Sequence, residues 1–200
     1  MQEPITVLTN LPILLFSLYA FLSLLIKNKL NFTPTFIYSL FFLFLLIMSL
    51  CGTLFHINNS YFYALQQYGT MIAGGLLSTT FALATIFDNF ENQLSIKIGA
   101  IPFIFLVIYL FNFNINSFLP FIFLQLANIV IVLLVYAKNI RTKKAILIYT
   151  ACVIFVIAGI IQTQAFKTSI FNHNDIFHII SLISAIFLYK GITLIEQLKA

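Results

Sequence analysis

Seven times along the chain, about twenty residues pass with hardly a charge, which is the length an α-helix needs to cross a hydrocarbon layer. The runs lie near Ile5–Ile26, Thr35–His56, Phe62–Phe87, Ile96–Asn112, Ser117–Ala137, Ala145–Ala165 and Asp175–Ile195. Lipid offers no hydrogen bonds to a backbone, so each run is expected as a helix. The fourth is short and carries Pro102. Connections are brief and polar, such as Ile57-Asn58-Asn59-Ser60 and Asn112-Phe113-Asn114-Ile115-Asn116. Residues 1–200 therefore read as one all-α domain, a polytopic seven-helix transmembrane bundle with no separate soluble part.

Composition points the same way. The chain is 62% hydrophobic and 8% charged, with a mean hydropathy of +1.07, against roughly 25% charged residues in a soluble domain. Such a surface cannot face water, and the lipid bilayer is its expected partner. Met1-Gln2-Glu3-Pro4 lacks the positive stretch that opens a secretory signal peptide, so the first run is expected to stay as a helix. The 24 phenylalanines, with Trp absent, look like coding bias and carry no functional reading.

Lysine and arginine accumulate on the cytoplasmic side of a membrane protein. Alternating seven spans puts Lys27, Lys29, Lys97, Lys138, Arg141, Lys143, Lys144, Lys190 and Lys199 on one side and only Lys167 on the other. The amino terminus is therefore expected outside and the carboxyl terminus inside, in a bacterial inner (plasma) membrane. The net charge of +5 follows from this sorting and from anionic lipid, and nothing in it argues for nucleic acid. Tyr61, Tyr63 and Tyr68 are expected in an outer aromatic belt, and Tyr38, Tyr136, Tyr149 and Tyr189 in an inner one. Cys51 and Cys152 fall in opposite halves of the membrane and read as buried free thiols. Gly74, Gly75 and Gly159 are positions where helices can approach closely.

The same alternation brings all three histidines to the outer side: His56 closes the second span, and His173 and His178 open the seventh. Asn10, Thr53, Gln66, Gln67, Gln162, Gln164 and Ser181 join them, which suggests a cavity opening outward. Asp88 and Glu91 fall at the opposite end and read as solvated loop charges. Zinc takes imidazole nitrogen and carboxylate oxygen, and catalytic sites use three protein ligands and a water. Asp175 and His178 are three apart and share a helix face, so both can point toward His56. His173 lies roughly 140° around an ideal helix from His178, and it joins only where the chain is not yet helical. The candidate zinc set is thus His56, Asp175 and His178, with His173 as the substitute. A purely structural reading stands beside it. Asn172 or Asn174 is a good N-cap, Asp175 complements the dipole of the helix it begins, and His56 can cap the second helix.

These residues resemble the CREST superfamily of membrane hydrolases, which includes alkaline ceramidases and adiponectin-type receptors. Gly52-Thr53-Leu54-Phe55-His56 is similar to that family's helix-2 motif, and Asn174-Asp175-Ile176-Phe177-His178 to its helix-7 motif. The resemblance implies a seven-helix core in which three histidines bind zinc and the zinc-bound water attacks a lipid amide. Only His56 and His178 carry over directly. The family's helix-2 Ser falls at Gly52, with Thr53 beside it. The first helix-7 His falls at Asn174, and the helix-3 Asp at Gln67.

Two functions follow as expectations. The first is a zinc-dependent hydrolase of a lipid or amphiphile amide or ester at the outer face. There Thr53 or Gln67 hydrogen-bonds substrate or water, and Asp175 is the remaining candidate for a general base. The second is a non-catalytic seven-helix binding or accessory protein with an outward-facing polar pocket. A transporter is disfavoured, because the spans hold no central ionisable residue and no inverted halves.

Overall fold

A computed structural model describes residues 3–28, 31–114, 117–138, 140–163 and 172–197. Gln164, Lys167, Lys29, Lys199, Ile115, Asn116 and Ala165, all named above, lie outside the described residues. The order is α1 (Pro4–Asn28), α2 (Pro34–Ile57), α3 (Asn59–Asn89), α4 (Asn92–Phe111), α5 (Leu119–Ala137), α6 (Lys143–Thr163) and α7 (His173–Gln197). All seven are long and apolar enough to cross a membrane. Every expected run is thus a helix, most of them a few residues longer than the apolar stretch. Large apolar side chains such as Leu8, Ile26, Phe103, Phe111 and Leu134 stand well exposed on the outside of the bundle. An apolar exterior this extensive suits lipid rather than water.

Helix ends follow from local chemistry. Thr33 caps α2 by accepting from the Phe36 N–H, with Pro34 in the first turn. The expected loop 57–60 shrinks to one residue. Asn58 ends α2 by donating its N–H to the Leu54 carbonyl, and its side chain accepts from the Tyr61 N–H to begin α3. A single asparagine therefore turns the chain through a helical hairpin. Pro102 sits inside α4 without ending it.

The packing is uneven from end to end. The main apolar core joins Ala20 and Leu24 of α1, Tyr38 and Phe42 of α2, Ala82 of α3, Val132 of α5, Ile148 of α6, and Leu188 and Ile192 of α7. These lie toward one end, called here the Lys144 end. At the other end, the buried positions of α1, α2 and α7 are largely polar: Thr6, Asn10, Ser49, Thr53, His56, Asp175, His178 and Ser181. Between helices, side chains reach backbone carbonyls. Tyr109 Oη donates to Met71 O at 2.9 Å, Gln125 Nε2 to Gly74 O at 2.7 Å, and Ser184 Oγ to Ala151 O at 2.7 Å. Gly74 permits this approach: a Cβ there would stand 2.6 Å from the Phe121 ring. Gly159 has open space around it and serves no such contact, contrary to expectation.

Two expectations fail at the Lys144 end. Asp88 is no loop charge. It lies in the last turn of α3, its side chain is 4% exposed, and it is ion-paired with Lys144 of α6. It also accepts from Tyr136 Oη at 3.1 Å, and Tyr136 in turn meets Tyr38 Oη at 2.9 Å. Tyr38 and Tyr136 are therefore sealed inside the bundle rather than set in a belt. Tyr61, Tyr63 and Tyr68 are exposed, as a belt requires. Cys51 and Cys152 are buried free thiols.

Removing one member of a buried pair strands the other charge, at about 3 kcal/mol or more. Asp88→Ala should accordingly lower the thermal unfolding midpoint in detergent, and adding Lys144→Met should restore most of it. Equal midpoints for Asp88→Ala and wild type would show that the pair does not join α3 to α6.

Candidate functional site

The polar end of α1, α2 and α7 is assembled by two adjacent pieces of hydrogen bonding. Thr9 and Asn10 lie three and four residues after Thr6, and the three side chains lie on one side of α1. From that face Asn10 Nδ2 donates to Ser49 O at 3.0 Å and to Thr53 Oγ1 at 3.1 Å on α2. Thr53 passes its own hydroxyl proton to Ser49 O at 2.8 Å. Gly52 makes room, since a Cβ there would lie 3.1 Å from the Asn10 amide.

The second piece starts α7. The Asn172 side chain accepts from the N–H groups of Asn174 (2.8 Å) and Asp175 (3.1 Å), while the Asp175 carboxylate accepts from the Asn172 N–H at 2.7 Å. This is a reciprocal capping box, with Asn172 at the N-cap and Asp175 three residues on. Of the two asparagines the sequence left open, Asn172 is the cap. The other Asp175 oxygen accepts from Thr9 Oγ1 at 3.3 Å, and Thr9 Oγ1 also lies 3.3 Å from His178 Nδ1. Asn172 Nδ2 reaches Thr6 Oγ1 at 3.3 Å. The start of α7 is thereby fastened to the first two turns of α1.

His56 and His178 meet across this junction. Their ring centres are 6.0 Å apart and nearly perpendicular, whereas two imidazoles on one tetrahedral zinc sit roughly 5 Å apart. Both residues are buried. A fourth ionisable group, Glu3, lies beside them: its carboxylate approaches His56 Nδ1 to 2.6 Å, and its backbone N–H donates to the His56 carbonyl at 3.3 Å. The side chain of Glu3 is 42% exposed, so the cluster has one face toward the exterior.

The two histidines inferred to share a face thus do meet. Their expected companions differ. Asp175 is 1% exposed, and both of its oxygens are engaged, one by the helix cap and one by Thr9. His173 is the first residue of α7 and half-buried. Thr53 has its hydroxyl committed within the α1–α2 contact and is not available to a substrate. Gln67, like Gln66, keeps a buried side-chain carbonyl oxygen with no partner. Among the described residues, no three His, Cys, Asp or Glu side chains are arranged to hold a metal ion. Two imidazoles are in place, but the third donor that zinc needs is tied into a helix cap. The residues as arranged do not fit a three-ligand zinc site.

Glu3 and Thr9 escaped the sequence reading. Glu3 is the one acidic residue at that end of the first span, and its place in the sequence gives no sign that it meets His56. Thr9 was detectable from its spacing with Thr6 and Asn10.

Residues 5–197 match the sequence pattern of a family described as "Family of unknown function (DUF6962)". The chain belongs to this family. No curated protein and no solved structure matches it. The match to DUF6962 runs from the first turn of α1 to the end of α7, so it takes in all seven helices and every residue of the cluster but Glu3.

Losing a helix cap costs about 1 kcal/mol. Asn172→Ala should lower the unfolding midpoint by the corresponding few degrees, and Asp175→Asn combined with it should add little, because both act in one capping box. Fully additive losses would mean that Asp175 acts elsewhere than in the cap.

Proposed function

We propose that the protein is an integral multi-pass protein of the bacterial inner (plasma) membrane, amino terminus outside, whose α1–α2–α7 cluster binds the polar head of a lipid or other amphiphile. One observation carries the reading: His56 and His178 meet, 6.0 Å apart, beside the partly exposed Glu3 carboxylate at the end of an otherwise apolar bundle. Ionisable residues in spanning helices mark binding or transport sites by default. Two imidazoles and a carboxylate offer hydrogen-bond donors and acceptors together, which suits a headgroup carrying both. The orientation rests on Lys27, Lys138, Arg141, Lys143 and Lys144, which flank the far ends of the helices from this cluster.

A second reading is hydrolysis of the bound molecule, the activity that the resemblance to the CREST superfamily implies. What supports it is that His56 and His178, the two residues that carry over directly, lie side by side, although their 6.0 Å separation is wider than two imidazoles on one zinc require. It requires a third donor, from Asp175 freed from its cap, from His173 or from Glu3.

Lipid extracted from the purified protein separates the readings. Mass spectrometry should find a bound amphiphile in wild type, and its occupancy should fall about tenfold in His178→Ala, the equivalent of roughly 1.4 kcal/mol. Unchanged occupancy in both His178→Ala and His56→Ala would sink the binding reading. Elemental analysis bears on the second: stoichiometric zinc that vanishes in His178→Ala supports hydrolysis, and metal-free wild type removes it.

Orientation has its own test. Cysteines placed at Ser60 and at Thr142 should react differently with a membrane-impermeant maleimide on intact cells, the first labelled and the second protected. Both native thiols are buried and give little background. The reverse pattern would invert the topology.

A further inference from the structure

Halfway along the bundle, α2, α3, α5, α6 and α7 line a cavity of about 40 Å³ that begins one turn below the cluster at the helix ends. Most of its wall is apolar, including Phe41, Leu77, Phe81 and Phe155. Four buried polar side chains interrupt that wall: Ser78, Asn128, Ser181 and Ser184.

The orientation of Asn128 is forced by its neighbours. Ser78 and Thr79 both donate their hydroxyl protons to the Gly75 carbonyl, at 3.2 and 2.9 Å. They can therefore only accept from Asn128, whose Nδ2 lies 3.1 Å from Ser78 Oγ and 3.5 Å from Thr79 Oγ1. With its amide nitrogen spent on α3, Asn128 keeps its carbonyl oxygen, and that oxygen has no partner. Ser181 Oγ, one turn below His178 on α7, likewise has none. Asn128 is 1% exposed and Ser181 5%. A buried, unsatisfied polar atom costs about 1–3 kcal/mol, so two around one cavity call for a ligand that can both donate and accept.

Size limits the choice. A buried water needs roughly 10–15 Å³ of such space and two to four polar partners. The cavity has room for about two or three waters and none for an acyl chain.

We propose that this cavity is a hydration site in which two or three ordered waters join Asn128 Oδ1 of α5 to Ser181 Oγ of α7. The waters donate to the amide oxygen and exchange hydrogen bonds with the serine hydroxyl. They also have the lone pairs of Ser78 and Ser184 within the same wall. The site is independent of whatever the helix-end cluster binds.

An experimental structure of the full chain, at a resolution that shows ordered water elsewhere in the bundle, tests this directly. Water is expected within hydrogen-bonding distance of both Asn128 Oδ1 and Ser181 Oγ. Crystals under xenon pressure are expected to show no xenon here, because apolar gas enters dry cavities and not wet ones. Bound xenon, an acyl chain in the cavity, or an empty cavity in which the two atoms bond to other protein groups would each overturn the proposal.

Discussion

A helix buried in hydrocarbon has no water to satisfy stray polar groups, and that constraint shapes nearly every contact between these helices. Inside each helix the backbone satisfies itself. Between helices, the polar side chains settle on carbonyls of their neighbours: Asn10 on Ser49, Tyr109 on Met71, Gln125 on Gly74 and Ser184 on Ala151. Each of these carbonyls lies within a helix and accepts the cross-helix donor with its second lone pair. The arrangement ties α1 to α2, α4 and α5 to α3, and α7 to α6.

The same constraint explains why the buried acidic side chains among the described residues are neutralised. Asp88 can be buried because Lys144 and Tyr136 come with it. Asp175 can be buried because a helix cap and the Thr9 hydroxyl supply donors to both of its oxygens. One lies near each end of the bundle, and they do different things. The first holds a four-helix junction of α2, α3, α5 and α6 together. The second starts α7 against α1 and leaves two imidazoles edge to face beside it.

Helix number and approximate limits were legible because lipid selects for long apolar runs, and the count alone brought His56 to His178 across more than half the chain. What could not be read was side-chain geometry at the helix ends. The spacing of Asp175 and His178 correctly placed both on one face of α7, yet spacing says nothing about the three residues upstream that make Asp175 a capping partner. Asp88 was misplaced for a similar reason. Its neighbours Asn89 and Phe90 look like a loop, and the partner that lets Asp88 be buried, Lys144, comes more than fifty residues later. Tyr38 and Tyr136 followed the general preference of tyrosine for membrane interfaces, a preference that gives way where two hydroxyls can bond each other. Glu3 was overlooked because it precedes the apolar run and meets its partner only through folding.

The uneven core has a consequence for how the molecule breathes. Toward Lys144, large side chains of six helices interlock, and parting them forfeits packing on every side. At the histidine end α3, α4 and α5 keep a smaller apolar cluster around Leu106, Tyr109 and Leu124, whereas α1, α2 and α7 meet largely through polar side chains. Hydrogen bonds between such side chains stabilise membrane bundles by only about 0.6 kcal/mol each on average, because separated helices find substitute partners. Local opening is therefore easiest at α1 and the first turns of α7, the segments that carry Thr9, Asp175 and His178. The bundle is clamped along its length except where α1 and the start of α7 meet through polar groups. The buried imidazoles lie where parting takes least work.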